Sequence, residues 1–547
     1  MNNQKTQPQF NIKLGDSLTT HEKAWNSSAQ NLLTEDLANL IAKLHKQFNA
    51  KRLELLEQRK IRQIKYDAGE SPEYFKDNSM PHHGDWKIAT IPADLLKRRV
   101  EITGPVSSTK MVINMLNPDS NGLRADMAML DFEDSMKPSW DNVLNGIENV
   151  KGIADGNLEF HDEVKNKHYK YNAEDHAKLM IRIRGLHLDE SNLQVDQQPV
   201  SAALLDFVAS VYHTAKEQIK QGLTPKFYVP KIEHYLEARY WNEIFTAVEK
   251  AMDIEVGTIR MTFLIETLPA AFQMEEILYE LREHIVAMNV GRWDKIFSDI
   301  KVLKNHPDKV MADRSTIDMS KFWMNNYAKR LIKICHTHGA MAIGGMSAFT
   351  PGKDKKQRLA QTEKVIADKS NEAKIGHDGC WVSHPYFIKP ALDQFKQDNQ
   401  LNRLLEDFNK FPDLIPQSEG PTTLAGLVTN IRVAIAYQKG WNDDIGCVSW
   451  DGMMEDLATL EISRAQTWQW LKHQVKLENG QTVDKELIKN IFKQELEKIN
   501  HELSEFYSQD KLSAILSSYK QACSDAEKLF TQDAFKEFFS LKSDIAQ

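Results

Sequence analysis

Two short apolar runs between residues 259 and 294 each lead into an acid. Ile259-Arg260-Met261-Thr262-Phe263-Leu264-Ile265 is followed by Glu266-Thr267, and Ile285-Val286-Ala287-Met288-Asn289-Val290 runs through Gly291-Arg292-Trp293 to Asp294. A short apolar run, a helix-length segment and a second run make the βα grammar of a parallel sheet. The same grammar extends outward in both directions. The runs are residues 111–116, 128–132, 179–183, 227–229, 259–265, 285–290, 340–343 and 380–382, and these eight are the number that closes a (β/α)8 barrel. Polar residues fall after the runs rather than before them: Glu133 and Asp134, Arg184, Lys231, Glu266 and Asp294. In a barrel they converge on the carboxyl-terminal rim, where active sites are built.

At 547 residues the chain exceeds a barrel of about 250 residues, and the surplus reads as helix. Leu33, Leu37, Leu40, Ile41, Leu44 and Phe48 recur at three- and four-residue steps before the barrel, and Ile488, Ile491, Phe492, Leu496, Ile499 and Leu503 do so after it. Strands are not expected beyond about residue 400, and residues 412–421 read as a connector. The expected organisation is an N-terminal helical region over 1–105, a barrel over 106–400 and a C-terminal helical region over 401–547.

Lys+Arg 69 against Asp+Glu 77, a net charge of -8, argues against a nucleic-acid binder held by phosphate contacts. Cys335, Cys380, Cys447 and Cys523 show no metal or redox spacing and fit reduced thiols in the cytoplasm. Residues 1–20 lack an apolar signal core, no segment suits a membrane span, and residues 544–547 carry no peroxisomal address, so a cytoplasmic protein is expected. An oligomer is compatible with all of this.

Glu266 and Asp294 end consecutive strands, so their carboxylates should be neighbours. Mg2+ suits such a pair, since it takes one or two protein carboxylates and fills its other positions with water and substrate oxygens. Local salt bridges or helix caps would explain the same acids. Strand alternation sends Arg182 and Arg184 to one face of the third strand, there to meet Glu133 and Asp134 or an anionic ligand. Asp456 precedes a helical segment and by local pattern is an N-cap. His336 and His338 match no zinc signature, and Gly344-Gly345 is a weak sign of close backbone approach.

Several stretches, in one order from about Trp86 to His473, resemble malate synthases. They are Arg98-Arg99-Val100-Glu101-Ile102-Thr103-Gly104-Pro105, Asp131-Phe132-Glu133-Asp134-Ser135, Arg182-Ile183-Arg184-Gly185-Leu186-His187-Leu188, Ile265-Glu266-Thr267-Leu268-Pro269-Ala270 and Asn289-Val290-Gly291-Arg292-Trp293-Asp294, with Gly344-Gly345-Met346, Gly376-His377-Asp378-Gly379 and Met454-Glu455-Asp456 further on. Leu123-Arg124-Ala125-Asp126 and Leu457 depart from the usual pattern, at positions that touch loop packing. The resemblance implies a TIM barrel with an N-terminal helical clasp and a C-terminal helical plug over the barrel mouth. It also implies Mg2+-dependent condensation of acetyl-CoA with glyoxylate, followed by thioester hydrolysis to malate and CoA. It assigns the metal to Glu266 and Asp294, a catalytic arginine to Arg182 and the base to Asp456, against the local capping pattern.

On that footing the backbone around Gly291 and Trp293 is expected to hold the glyoxylate carboxylate. Arg98, in the loop 98–110, and Lys353 are the expected contacts for CoA. Two other readings fit the same motifs: a malyl-CoA or citramalyl-CoA lyase on a related barrel, and a non-catalytic barrel scaffold. The long C-terminal segment with Asp456 disfavours the first, and the joint presence of Glu266, Asp294, Arg182 and Asp456 disfavours the second.

Overall fold

A computed structural model describes residues 9–75 and 81–541; the chain ends on which the signal-core and peroxisomal expectations partly rest lie outside the described residues. Eight parallel strands close into a barrel. They are β1 (Val100–Pro105), β2 (Met127–Asp131), β3 (Lys178–Arg182), β4 (Lys226–Val229), β5 (Arg260–Leu264), β6 (Ile285–Asn289), β7 (Met341–Ser347) and β8 (Gly379–Val382), hydrogen-bonded in chain order with β8 returning to β1 and β3 to β4. Every residue of β1, β2, β4, β5 and β6 is buried. Parallel strands covered on both faces read as continuous apolar runs, which is why seven of the eight expected runs are strands.

The eighth expectation is corrected. Residues 111–116 lie in helix α1 (Thr109–Leu116), whose buried Val112, Ile113, Met115 and Leu116 follow helical spacing. The first strand is instead Val100–Pro105, so the barrel begins ahead of residue 106. It escapes notice because it carries Glu101, Gly104 and Pro105. Glu101 is tolerated inside the barrel because Arg98 Nε donates to it at 2.6 Å and Trp381 Nε1 at 3.0 Å.

A helix at Glu35–Asp67, capped by Thr34, wraps the outside and ties down the segments that follow two strands. Its Arg52 donates to the carbonyls of Leu186 and Leu188, and its Arg59 to that of Lys231 and to Glu237. His336 and His338 are engaged by Asp378 and Glu275, at 3.0 and 2.8 Å. No described helix is long and apolar enough to cross a membrane.

Past residue 400 the chain is mostly helical, with long helices at Leu424–Asn442, Leu457–Lys472, Lys485–Ser504 and Gln509–Phe530 around their own apolar core. The stretch 412–421 carries no helix or strand. Strands do not stop at residue 400, however. Val448–Trp450 pairs with Met453–Glu455 across Asp451-Gly452, whose φ values of 45° and 82° make the tight left-handed turn that joins such strands. An Asp-Gly pair between short runs is a recognised hairpin signal. Met454 N donates to Ala348 O at 2.7 Å, docking the hairpin on the loop after β7.

The helix α2 (Arg292–Val302) follows β6. Its Ile296, Phe297 and Ile300 pack with Ile462 and Ala465 of Leu457–Lys472 and with Phe538 in one buried cluster. Each fully buried side chain of this size contributes about 1.5–3 kcal/mol. That packing brings Asp456, which precedes Leu457–Lys472, to the barrel rim where α2 begins.

Candidate active site

The carboxyl ends of β2 to β6 place Asp131, Glu133, Asp134, Arg182, Lys231, Glu266 and Asp294 on one rim, all buried. Arg182 Nε and Nη2 bind the two oxygens of Asp131 at 2.7 and 2.5 Å, and Nη1 faces Glu133 at 3.3 Å. Asp131 is itself fixed by the backbone N–H groups of Glu133 and Ser135 and by the Ser135 hydroxyl. The Arg182 guanidinium also lies 5.5 Å from the Trp381 ring centroid.

Lys231 Nζ stands 2.7 Å from an oxygen of each of Glu133, Asp134 and Asp294, and 3.8 Å from Glu266. Of these, the contact with Asp134 has hydrogen-bond geometry. Glu266 Oε1 accepts from the backbone N–H of Lys231 at 2.8 Å. Glu133 Oε2 meets Arg182 at 3.3 Å and Asp294 Oδ1 meets Lys231 at 2.7 Å, while Asp134 Oδ1 and Glu266 Oε2 are buried without a hydrogen-bond partner. Buried carboxylate oxygens are costly in that condition.

The electrostatics follow. Burial and repulsion from Glu266 push Asp294 well above the usual carboxylate range, and burial and Asp134 do the same to Glu133. Burial raises Glu266 as well. Burial would also raise Asp134, but Lys231 and Arg182 hold it below its ordinary value. Among the described residues no three His, Cys, Asp or Glu side chains form a metal cage. Mg2+ needs no such cage, because two carboxylates suffice. The unpartnered Glu266 Oε2 and the neighbouring Asp294 carboxylate, in a cluster with surplus negative charge, fit it.

Gly291 makes the pair of acids sterically feasible. A Cβ there would lie 2.6 Å from Glu266 Cβ and 2.7 Å from Glu266 Oε2. Gly291 is also the N-cap of α2 and brings no capping side chain, so the N–H groups of Arg292, Trp293 and Asp294 end a helix at the cavity wall as an anion site would require.

Asp456 is the N-cap of Leu457–Lys472 in a reciprocal capping box with Thr459, so the local reading of this residue holds. It also lines a small cavity together with Arg182, Glu266, Gly291, Trp293 and Asp294. The two descriptions are compatible because a cap uses one carboxylate oxygen: Thr459 N donates to Oδ1 at 3.2 Å. Burial, then repulsion from Asp134 and Asp294, pushes Asp456 well above the usual carboxylate range. The backbone N–H of Leu457 donates to Asp134 O at 3.1 Å, tying helix to rim.

Over 524 residues the chain is 42% identical to the malate synthase of Myxococcus xanthus (strain DK1622), covering 94% of each. The chain belongs to the malate synthase family. It is 39% identical to malate synthase A of Escherichia coli (strain K12), over 96% of this chain and 98% of that protein, and 39% identical to the malate synthase of Arabidopsis thaliana, over 93% and 91%. The family models for the malate synthase N-terminal domain, TIM barrel domain and C-terminal region match residues 25–76, 178–410 and 421–544. It is an enzyme with malate synthase function, transferring acetyl from acetyl-CoA to glyoxylate.

Six of the eight expected site residues meet: Asp456, Arg182, Glu266, Asp294, Gly291 and Trp293 line one cavity. The Gly291 N–H, expected to face a ligand, donates to the Tyr327 hydroxyl at 3.1 Å. Arg98 does not join them. It is fully buried lower in the barrel, with Nε, Nη1 and Nη2 donating to Glu101, Thr262 and Tyr228, so it presents no surface to CoA. Lys353 lies on the loop after β7, with Nζ 4.8 Å from the Phe506 ring. Arg184 turns away to Asp206 and Glu190. Gly344 gives room to the Glu372 carboxylate. Asp131 and Lys231 are central here although no single-residue expectation attached to them; their signal was position at a strand end.

A groove opens beside the hairpin of residues 448–455. Thr103, Met111, Asn114, Lys167, Tyr169, Lys170 and His384 line it, with Met454 two residues from Asp456.

Proposed function

We propose that Asp456 is the base and Arg182 the electrophilic partner in malate synthesis, with Mg2+ held by Glu266 and Asp294. The observation that carries this is the meeting of all four, from separate segments of the chain, at one small cavity. The methyl group of acetyl-CoA is a very weak carbon acid. Asp456 takes its proton through the carboxylate oxygen not used for capping. Burial and nearby negative charge raise its proton affinity, which makes it a stronger base once ionised. The buried Arg182 guanidinium, fixed by Asp131, stabilises negative charge on the thioester oxygen as the enolate forms.

The enolate carbon then attacks the aldehyde carbon of glyoxylate. The uncapped N-terminus of α2, at Arg292, Trp293 and Asp294, holds the glyoxylate carboxylate. When bound, Mg2+ polarises the aldehyde and offsets the charge arising on its oxygen. Acetyl-CoA enters along the groove past Lys167, Lys170 and Met454, with Lys353 a further candidate for its phosphates. Thioester hydrolysis then releases malate and CoA and makes the sequence effectively irreversible.

The same proposal places the enzyme in the cytoplasm, serving a glyoxylate bypass of the tricarboxylic acid cycle; four free cysteines fit a reducing compartment. The organisation into an N-terminal clasp, barrel and plug is part of it. Release of free CoA thiol from acetyl-CoA, measured with and without glyoxylate and Mg2+, tests the whole. A condensation that keeps its thioester would point to a lyase, and no glyoxylate-dependent reaction would point to a scaffold.

A further inference from the structure

Lys231 touches both proposed metal ligands, yet the reaction above gives it no task. Its Nζ is 2.7 Å from Asp294 and 3.8 Å from Glu266, and its backbone N–H donates to Glu266 Oε1 at 2.8 Å. Its carbonyl accepts from Arg59 at 2.8 Å. Its φ of 54° is a left-handed conformation that a lysine keeps only where its surroundings over-determine it. Surface lysines meet acids on a mobile stem, whereas this one is buried and held at both ends.

Charge supplies the reason. Arg182 is held by Asp131 and reaches Glu133 only at 3.3 Å, so Lys231 is the cation that serves Glu133, Asp134 and Asp294, each at 2.7 Å, and Glu266 at 3.8 Å. Buried carboxylates this close repel unless a positive group stands among them. A second cation on Asp294 and Glu266 would in turn be repelled by Nζ, across a few ångströms of largely dry protein.

We propose that Lys231 is a built-in counter-cation of the acid cluster: it holds the cluster together without metal, and by competing for Asp294 and Glu266 it sets how tightly Mg2+ binds. The inference rests on the reading of those two acids as ligands. Lys231 is thus a positioning residue whose charge trades metal affinity for a folded metal-free site.

The test is Mg2+ binding by calorimetry, supported by thermal unfolding in EDTA and in saturating Mg2+. Lys231→Gln should lower the Mg2+ Kd at least tenfold and lower Tm in EDTA, with Tm recovered by Mg2+. General damage to the site would weaken binding, so tightening separates the two. Pairing Lys231→Gln with Glu133→Gln removes one charge of each sign and should return both Kd and metal-free Tm toward wild type. If the single variant cannot be obtained folded, wild-type-like affinity in the double variant carries the proposal. A folded single variant with unchanged or weaker Mg2+ affinity overturns it, as does failure of both variants to fold. Absence of saturable Mg2+ binding in wild type would remove the ligand reading and this inference together; wild-type binding with no tightening in Lys231→Gln would remove this inference alone.

Discussion

Arg182 and Asp131 meet through both arms of the guanidinium fork, at 2.7 and 2.5 Å, between the ends of adjacent strands. The pairing fixes the arginine at the cavity wall, with Nη1 facing Glu133. Arg182→Lys keeps the charge and loses the fork. We expect kcat to fall on the order of 100-fold or more, with Mg2+ affinity little changed. Steady-state kinetics at saturating glyoxylate decide it, and near-normal turnover would exclude Arg182 from the chemistry.

Asp456→Asn separates the two tasks of that residue. Asparagine caps a helix as well as aspartate does and removes a carboxyl whose ionisation is disfavoured by burial and by Asp134 and Asp294, so stability near pH 7 should hold or rise. Exchange of the acetyl-CoA methyl protons with deuterated water, followed by NMR, should vanish. Thr459→Ala breaks the capping box instead and should cost about 1 kcal/mol. Persisting exchange in Asp456→Asn would eliminate it as the base.

Gly291→Ala puts a methyl 2.6 Å from Glu266 Cβ. Either Glu266 or the start of α2 has to move, at roughly 1–3 kcal/mol by the usual cost of overpacking. The Mg2+ requirement should rise steeply, as it should in Glu266→Ala and Asp294→Ala. A metal titration of activity and of Tm measures this, and unaltered dependence in all three would reject these acids as ligands.

Glu275 provides a pH dependence away from the active site. Burial alone would raise it, but hydrogen bonds from His338 and Lys410 draw it down to about 2. A carboxylate lowered in the folded state stabilises fully above its unfolded value and loses that contribution as pH falls through the folded one. Stability should therefore decline between about pH 4.5 and 2. Glu275→Gln should lose roughly 1–2 kcal/mol near pH 7 and flatten that decline, as urea unfolding at a series of pH values would reveal.

Phe538 stacks on His187 with centroids 4.1 Å apart, beside Phe297 of α2 at 5.7 Å. Phe538→Ala should destabilise by about 3–5 kcal/mol and loosen the Leu457–Lys472 helix from α2. Turnover should drop while Mg2+ affinity holds. Equal losses in both would mean that the site as a whole had collapsed.

Much of this was legible from residues in line. Parallel strands buried on both faces announce themselves as apolar runs, and rim acids fall just after them, so Glu266 and Asp294 could be paired before any coordinates. Val100–Pro105 was not legible, because Glu101 looks out of place in a strand until Arg98 and Trp381 are seen beside it. The hairpin before Asp456 carries its signal in Asp451-Gly452, a pair too short to stand out among helical segments. Arg98 looked available for a ligand, and burial with three internal acceptors makes it structural.

By itself the sequence determined the barrel, the flanking helices and the family motifs, since periodicity and turn chemistry act over a few residues. It also determined that Asp456 caps a helix. Only the tertiary structure decided that this cap stands at the same cavity as Arg182, Glu266 and Asp294, because that depends on Ile462 and Ala465 burying themselves against α2. It also decided that Lys231, an ordinary rim lysine on paper, sits among the acids. The charge balance of a buried site is a sum over groups far apart in the chain, and no local pattern contains it.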